Sequence, residues 1–172
     1  MEFRNCNARL VNGRWVPTFP RAKYVFHKRE YAAWEAATAT GANPPGEVWR
    51  MNCLPVVEAG QALLVDDDFT LDDTVWLTPT PGHSPCHCCV NIKSGGQRAV
   101  VTGDLMHHAL QVREPGWYTI FDWDTGAAVR SRRSFFASVA DTDTLILPIH
   151  FPNPTTGRVA ADGTRFRYNF VR

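Results

Sequence analysis

Three side chains with metal-binding chemistry sit where apolar runs of the chain end. His83 lies in TPGHSPCH, directly after TVWLTP (Thr74–Pro79). Asp104 follows RAVVTG (Arg98–Gly103), and His150 closes TLILPIH (Thr144–His150). Loops at strand ends, held by a rigid sheet, are favoured places for functional groups. Separations of 21 and 46 residues mean that the fold must assemble any site these three share. Two imidazoles and a carboxylate suit Zn²⁺ or another borderline divalent cation. The plainer alternative is a loop histidine beside Pro and Gly, and a turn aspartate after Gly. His107 and His108, three and four residues past Asp104, stand either beside such a site or on the surface.

The elements that must position these groups follow from pattern. The first twenty residues lack periodicity and end in Pro17 and Pro20, so an extended loop is expected there. Lys23–His27 is β-rich and Arg29–Ala39 has helical spacing, broken by GANPPGE (Gly41–Glu47). A weaker helical stretch at Asn52–Gly60 is interrupted by Pro55. Strands are expected at Ala62–Asp66, Thr74–Pro79, Cys88–Lys93 and Arg98–Gly103, the last two joined by a hairpin at Ser94–Gln97. An irregular stretch spans Asp104–Thr125; its Trp117, Tyr118 and Phe121 read as core aromatics, or as the lining of a pocket for an apolar acyl group. Ala127–Asp141 reads as an amphipathic helix, with Ala128, Phe135 and Val139 inward and Arg130, Arg132 and Arg133 on a solvated face. Thr144–His150 is a buried strand, and Arg158–Phe170 a hairpin turning at Asp162-Gly163. Strands, one long helix and more strands make a mixed α/β layered domain.

Composition narrows the function classes. The chain has 172 residues, 44% of them apolar and 20% charged, which is ordinary globular composition for a single domain over residues 1–172. A net charge of +1 removes the main electrostatic argument for nucleic-acid or membrane-surface binding. Phosphate-binding Gly-rich loops are absent from the sequence. Five cysteines (Cys6, Cys53, Cys86, Cys88, Cys89) are too unevenly spaced for a disulfide framework, so a reducing, cytoplasmic setting is expected. No N-terminal apolar run suggests a secretory signal. Cys86 and Cys89 have C-x-x-C spacing within HSPCHCC, a local metal or redox alternative. Without a second such pair, buried inert thiols are the plainer reading.

The ordered set TPGHSPCH, VVTGDLMHH and ILPIHFP resembles the metallo-β-lactamase-fold hydrolases, particularly their lactonase and esterase-like branch. The resemblance runs from about NGRWVPTFP to the C-terminus. It implies an αββα sandwich and hydrolysis of a lactone, ester or similar small electrophile by a metal-activated water. It also implies His83 as a ligand of a first metal, Asp104 as the bridging carboxylate and His150 as a ligand of a second. His87 is then a loop-packing residue. Where the family has Gly in this motif the chain has Cys86, which would strain a loop needing positive φ. The family's H-x-H-x-D-H motif is absent from this sequence. The resemblance therefore implies a chain that begins just after that motif, incomplete at the N-terminus of the fold. Each of two metals would keep only two ligands, whereas one ion shared by His83, Asp104 and His150 would have three. Zinc or another divalent metal is thus expected to be absent or weakly held, and hydrolysis weak or absent. The alternative is a non-catalytic relative acting as a binding module. A small-molecule substrate is the expected partner, with no nucleic acid or membrane; an unpaired sheet edge would allow self-association.

Overall fold

A computed structural model describes residues 7–40 and 45–171. Cys6 and residues 41–44 of the expected helix break lie outside them. The chain divides into two compact units, Met1–Asp66 and Asp67–Arg172.

The first unit opens with a correction. Residues expected to form a loop make an antiparallel hairpin, β1 (Ala8–Val11) and β2 (Arg14–Pro17). Asn12 and Gly13 form its two-residue turn with φ of 49° and 77°. Asn-Gly is the favoured pair for such a turn because both central residues need positive φ. That signal was in the sequence and outweighs the missing alternation of four-residue strands. Strand β3 (Tyr24–His27) leads into helix α1 (Lys28–Ala39), where the His27 side chain accepts the Arg29 N–H as a cap. Short helix α2 (Pro45–Val48), a π-type turn at Trp49–Cys53 and helix α3 (Leu54–Glu58) follow. Pro55 falls in the first turn of α3, where its missing N–H costs nothing. Strand β4 (Ala62–Val65) then pairs parallel with β3.

The second unit is built on a six-stranded sheet. Its strands are β5 (Val75–Pro79), β6 (Cys88–Ser94), β7 (Gln97–Val101), β8 (Leu145–Leu147), β9 (Gly157–Asp162) and β10 (Arg165–Phe170). They lie side by side in the order β10-β9-β8-β7-β6-β5. The expected hairpin at Ser94–Gln97 is present, and the C-terminal hairpin expected to turn at Asp162-Gly163 turns one residue later, at Gly163-Thr164, because Asp162 pairs with Arg165. Because β5 and β7 both run antiparallel to β6, and β8 runs parallel to β7, the C-terminal ends of β5, β7 and β8 share one sheet edge. His83, Asp104 and His150 follow those three ends. β8 is shorter than the apolar run predicts: it stops before Pro148, and Ile149 and His150 are exposed. Proline cannot donate to the strand ladder, so the tail of the run becomes a loop.

Between β7 and β8 lie a 3₁₀ turn (Gly103–Leu105), helix α4 (Leu110–Arg113) and helix α5 (Thr125–Val139). Asp124 caps α5 by accepting the Ala127 N–H at 2.8 Å. Phe136 and Val139 of α5 pack with Met106, Val112, Ile146, Phe151 and Val159 in the core. Burying each such side chain contributes roughly 1.5–3 kcal/mol. The helix face differs from the expected one at one position. Arg132 is fully buried, because it lies four residues after Ala128 and four before Phe136, on the inward stripe. The aromatic run also differs from a core reading: Trp117, Tyr118 and Phe121 are exposed, together with Ile120 and Trp123. Among the described residues, no helix is long and apolar enough to cross a membrane.

Candidate metal centre

The loop from Thr80 to His87 is shaped by two close approaches. Gly82 has φ of +135°, and a Cβ there would lie 2.0 Å from the backbone nitrogen of Ala128 at the start of α5. Glycine is required sterically at that position. The Trp123 and Asp124 N–H groups donate to the carbonyls of His83 and Gly82, which fastens the loop to the α5 cap. At the far end, His87 Nε2 accepts the backbone N–H of Asp104 at 3.0 Å. Its Nδ1 must then carry the proton, which it donates to Thr80 Oγ1 at 2.7 Å. Gly103, with φ of +52°, permits this: a Cβ would stand 2.6 Å from His87 Nε2. His87 therefore packs the loop and holds the β7 end, as the resemblance implied. Cys86 does not occupy the positive-φ region, so the cysteine in place of the family glycine strains nothing.

His83 points from this loop toward Asp104. Its Nε2 is 3.6 Å from Asp104 Oδ2, and its Nδ1 is 3.1 Å from Asp122 Oδ1. The Asp122 side chain has 0% solvent exposure, and it also accepts from the Thr119 N–H and hydroxyl. Arg132 Nη2 lies 3.6 Å from Asp122 Oδ2. The rest of the guanidinium is spent on backbone carbonyls, Nε to Leu105 and Nη1 to Pro115 and Trp117. Burial pushes the Arg132 pKa down, and the Asp122 charge opposes that. A buried carboxylate on Nδ1 leaves the Nε2 lone pair of His83 facing Asp104, the arrangement that orients metal-ligating histidines.

Two more imidazoles surround Asp104. His150 Nε2 makes a direct hydrogen bond to Asp104 Oδ1, and His107 Nε2 stands 3.6 Å from the same oxygen. The rings of His107 and His150 stack, with centroids 4.7 Å apart and planes at 16°. Partial burial pushes the Asp104 carboxyl pKa up, but the His150 hydrogen bond and the neighbouring imidazoles outweigh it and hold it below the ordinary value. Burial is the largest influence on His107 and lowers its pKa, keeping the ring neutral at pH 7. The His107 backbone is fixed by its N–H to Gln111 Oε1 at 2.6 Å, and Gln111 in turn donates to the Trp117 carbonyl. His108 turns away, its Nδ1 accepting the Leu110 N–H at the start of α4.

The fold thus brings His83, Asp104 and His150 to one place, with His107 among them. Single ligand atoms of His83, Asp104 and His107 all lie within 4.8 Å of one another. Neutral imidazoles and a carboxylate are the donor set of zinc, so these residues fit one divalent ion. The cysteines behave otherwise. Burial pushes the Cys89 thiol up to about 11, and its Sγ faces the Thr102 carbonyl and the Thr80 hydroxyl. Such a thiol is an inert core residue. Asp122 and Arg132 were not foreseen from sequence. The four-residue spacing around Arg132 was a readable signal, whereas nothing local marks Asp122.

Solved structures share this fold. One is AidC, a dizinc quorum-quenching lactonase in complex with a product, with TM-score 0.76 and 24% identity over 91% of this chain and 57% of that one. Another is the hydrolase AbOPH in the beta lactamase superfamily, with TM-score 0.79 and 22% identity over 91% of this chain and 57% of that one. A probable metal-dependent hydrolase from Staphylococcus aureus gives TM-score 0.69 and 19% identity over 91% and 55%. The chain spans little more than half the length of these proteins. No curated protein matches it. The family model of the metallo-beta-lactamase superfamily aligns with residues 6–163, and the chain belongs to the metallo-beta-lactamase superfamily.

Proposed function

We propose that this chain carries the metal-binding edge of a metal-dependent hydrolase acting on a lactone, ester or similar small electrophile. The ion is divalent, zinc being the best match, and is held by His83, Asp104 and an imidazole of the His107–His150 pair. The observation that carries this reading is the convergence of His83, Asp104 and His107 within 4.8 Å, with a buried carboxylate behind His83. When bound, such an ion would polarise a substrate carbonyl and make water a nucleophile near neutral pH.

The chain's own residues do the positioning. Asp122 fixes the tautomer of His83, and His150 keeps the Asp104 carboxylate ionised and oriented. The exposed Trp117, Tyr118, Ile120, Phe121 and Trp123 offer apolar surface to an acyl group, and Trp123 hydrogen-bonds through its backbone N–H to the His83 carbonyl. Membership of the family, and the N-hexanoyl-L-homoserine product bound to a structurally similar N-acyl homoserine lactone hydrolase, support the substrate class. Lacking the H-x-H-x-D-H ligands, these residues alone should give weak turnover.

Metal analysis after zinc loading, paired with assays on an acyl-homoserine lactone and an aryl-ester panel, tests the reading. One zinc per chain with little turnover is expected. A chain that takes up no divalent metal would overturn it, and metal uptake with no turnover of any substrate would favour a binding module.

A further inference from the structure

We propose that a second ligand site lies at the opposite end of the six-stranded sheet from the metal centre, and that it takes a small phosphate monoester. A cavity of about 460 Å³ opens there between the β6–β7 turn and the loop joining α5 to β8. Gln97 and Arg98 line it from the start of β7, Thr142, Asp143 and Thr144 from the loop, and Arg158 from β9. Asp104 and His150 follow the other ends of β7 and β8, so the length of those strands separates the two places. The volume falls within the roughly 300–1,000 Å³ of small-molecule sites, but this lining is polar where most such sites are apolar. A molecule held here is recognised by charge and hydrogen bonds.

Strand register concentrates cations at this end. Lys93 and Arg98 are direct cross-strand partners in the β6–β7 hairpin. Like charges directly opposite one another destabilise a sheet, and an anion bound between them reverses that effect. Arg158 stands two strands from Arg98 and reaches the same cavity, its Nε donating to the Asp143 carbonyl at 3.3 Å. Among the described residues, neither Lys93, Arg98 nor Arg158 has an ion pair with a carboxylate, Asp143 included. Arg113 and Arg165, by contrast, are paired with Asp162 and Glu114. Three cations against one carboxylate leave two positive charges unbalanced, close to the charge of about −2 that a phosphate monoester carries near pH 7.

The donors fit phosphoryl oxygens. With Nε of Arg158 spent on a carbonyl, its two terminal nitrogens remain, beside the whole guanidinium of Arg98. Such planar forks match phosphate oxygens two at a time. Thr142 gives its hydroxyl proton to the Val139 carbonyl at 2.7 Å, so of this residue and Thr144, 3.0 Å away, only Thr144 keeps a hydroxyl proton for a ligand. The Gln97 amide adds a further donor at the mouth. Asp143 decides between a bare phosphate and an ester. An ionised carboxylate only accepts, so it opposes an oxyanion but suits a hydroxyl on the organic part of a phosphate ester. A bare phosphate would also leave most of the cavity unfilled.

The test titrates the whole ¹⁵N-labelled chain with glycerol phosphate, inorganic phosphate and glycerol. Glycerol phosphate should move the backbone amide signals of residues 96–98 and 142–145 and leave those beside His83, Asp104 and His150 in place. Inorganic phosphate should bind the same residues more weakly, and glycerol should not bind. Arg98→Gln and Arg158→Gln should each weaken glycerol phosphate binding about tenfold or more, and Lys93→Gln by less. Arg167→Gln, on β10, should change nothing. Circular dichroism establishes that each variant is folded, and the wild-type amide map decides the matter if one is not. No movement at residues 96–98 and 142–145, movement only at the metal centre, or unchanged affinity in both arginine variants overturns the site. Equal affinities for inorganic phosphate and glycerol phosphate overturn the assignment to an ester.

Discussion

Asp122 sits 3.1 Å behind the Nδ1 of His83, its carboxylate wholly removed from solvent and backed by the buried guanidinium of Arg132. A carboxylate there holds the imidazole in one tautomer, with Nε2 turned toward Asp104. The same residue links the centre to helix α5, because Arg132 lies on the inward stripe of that helix.

Asp122→Asn keeps the shape but loses the charge and allows the wrong tautomer. Zinc affinity, measured by competition with a chromophoric chelator, should fall about 10–100-fold. Unchanged affinity would show that Asp122 serves only the fold.

Arg132→Met removes the partner of a buried carboxylate and the donor to three carbonyls. Breaking a buried pair from one side costs roughly 3–5 kcal/mol, and urea unfolding of the metal-free protein should show a loss of that order. Arg132→Lys keeps the charge without the planar fork and should fall between the two proteins.

Acid should destabilise the metal-free chain in two stages. The folded pKa of His107 lies below its ordinary 6.5, so the unfolded chain binds that proton more readily and stability falls as pH drops below about 6.5. The folded pKa of Asp104 is also depressed, from 3.8, so its contribution is present above that pH and is lost as pH falls through the lower folded value. Denaturant titrations from pH 8 to pH 3 should show the first decline in wild type and a smaller one in His107→Gln.

Gly82→Ala tests whether loop shape, apart from ligand identity, sets the centre. A side chain at φ of +135° is strained by about 1–3 kcal/mol, and its Cβ would overlap the Ala128 backbone. Lower thermal stability and weaker zinc binding are expected together, since the loop cannot relax without moving His83.

More of the scaffold than of the centre is legible in the sequence. The runs that became β5, β6 and β7, the long helix α5 and the Gly-rich hairpin were legible because their periodicity and turn chemistry are local. Motif order placed His83, Asp104 and His150 at strand ends, and the absence of H-x-H-x-D-H limited the ligands this chain can offer. The Asn12-Gly13 hairpin and the inward place of Arg132 are also written locally, in a turn dipeptide and a four-residue spacing.

Which groups meet is set by the packed fold. His83 and Asp122 are 39 residues apart, and His150 and Asp104 are 46 apart, with no periodic pattern connecting them. Their contacts depend on β5, β7 and β8 ending at one sheet edge and on α5 packing beneath it. Burial then separated chemically identical side chains. One histidine packs the loop, one caps a short helix, one holds the carboxylate, and two turn toward it with nitrogens free of protein hydrogen bonds or backed by a buried acid. Residue type is a property of the chain, but protonation, tautomer and partner are set by the environment that the fold builds around each ring.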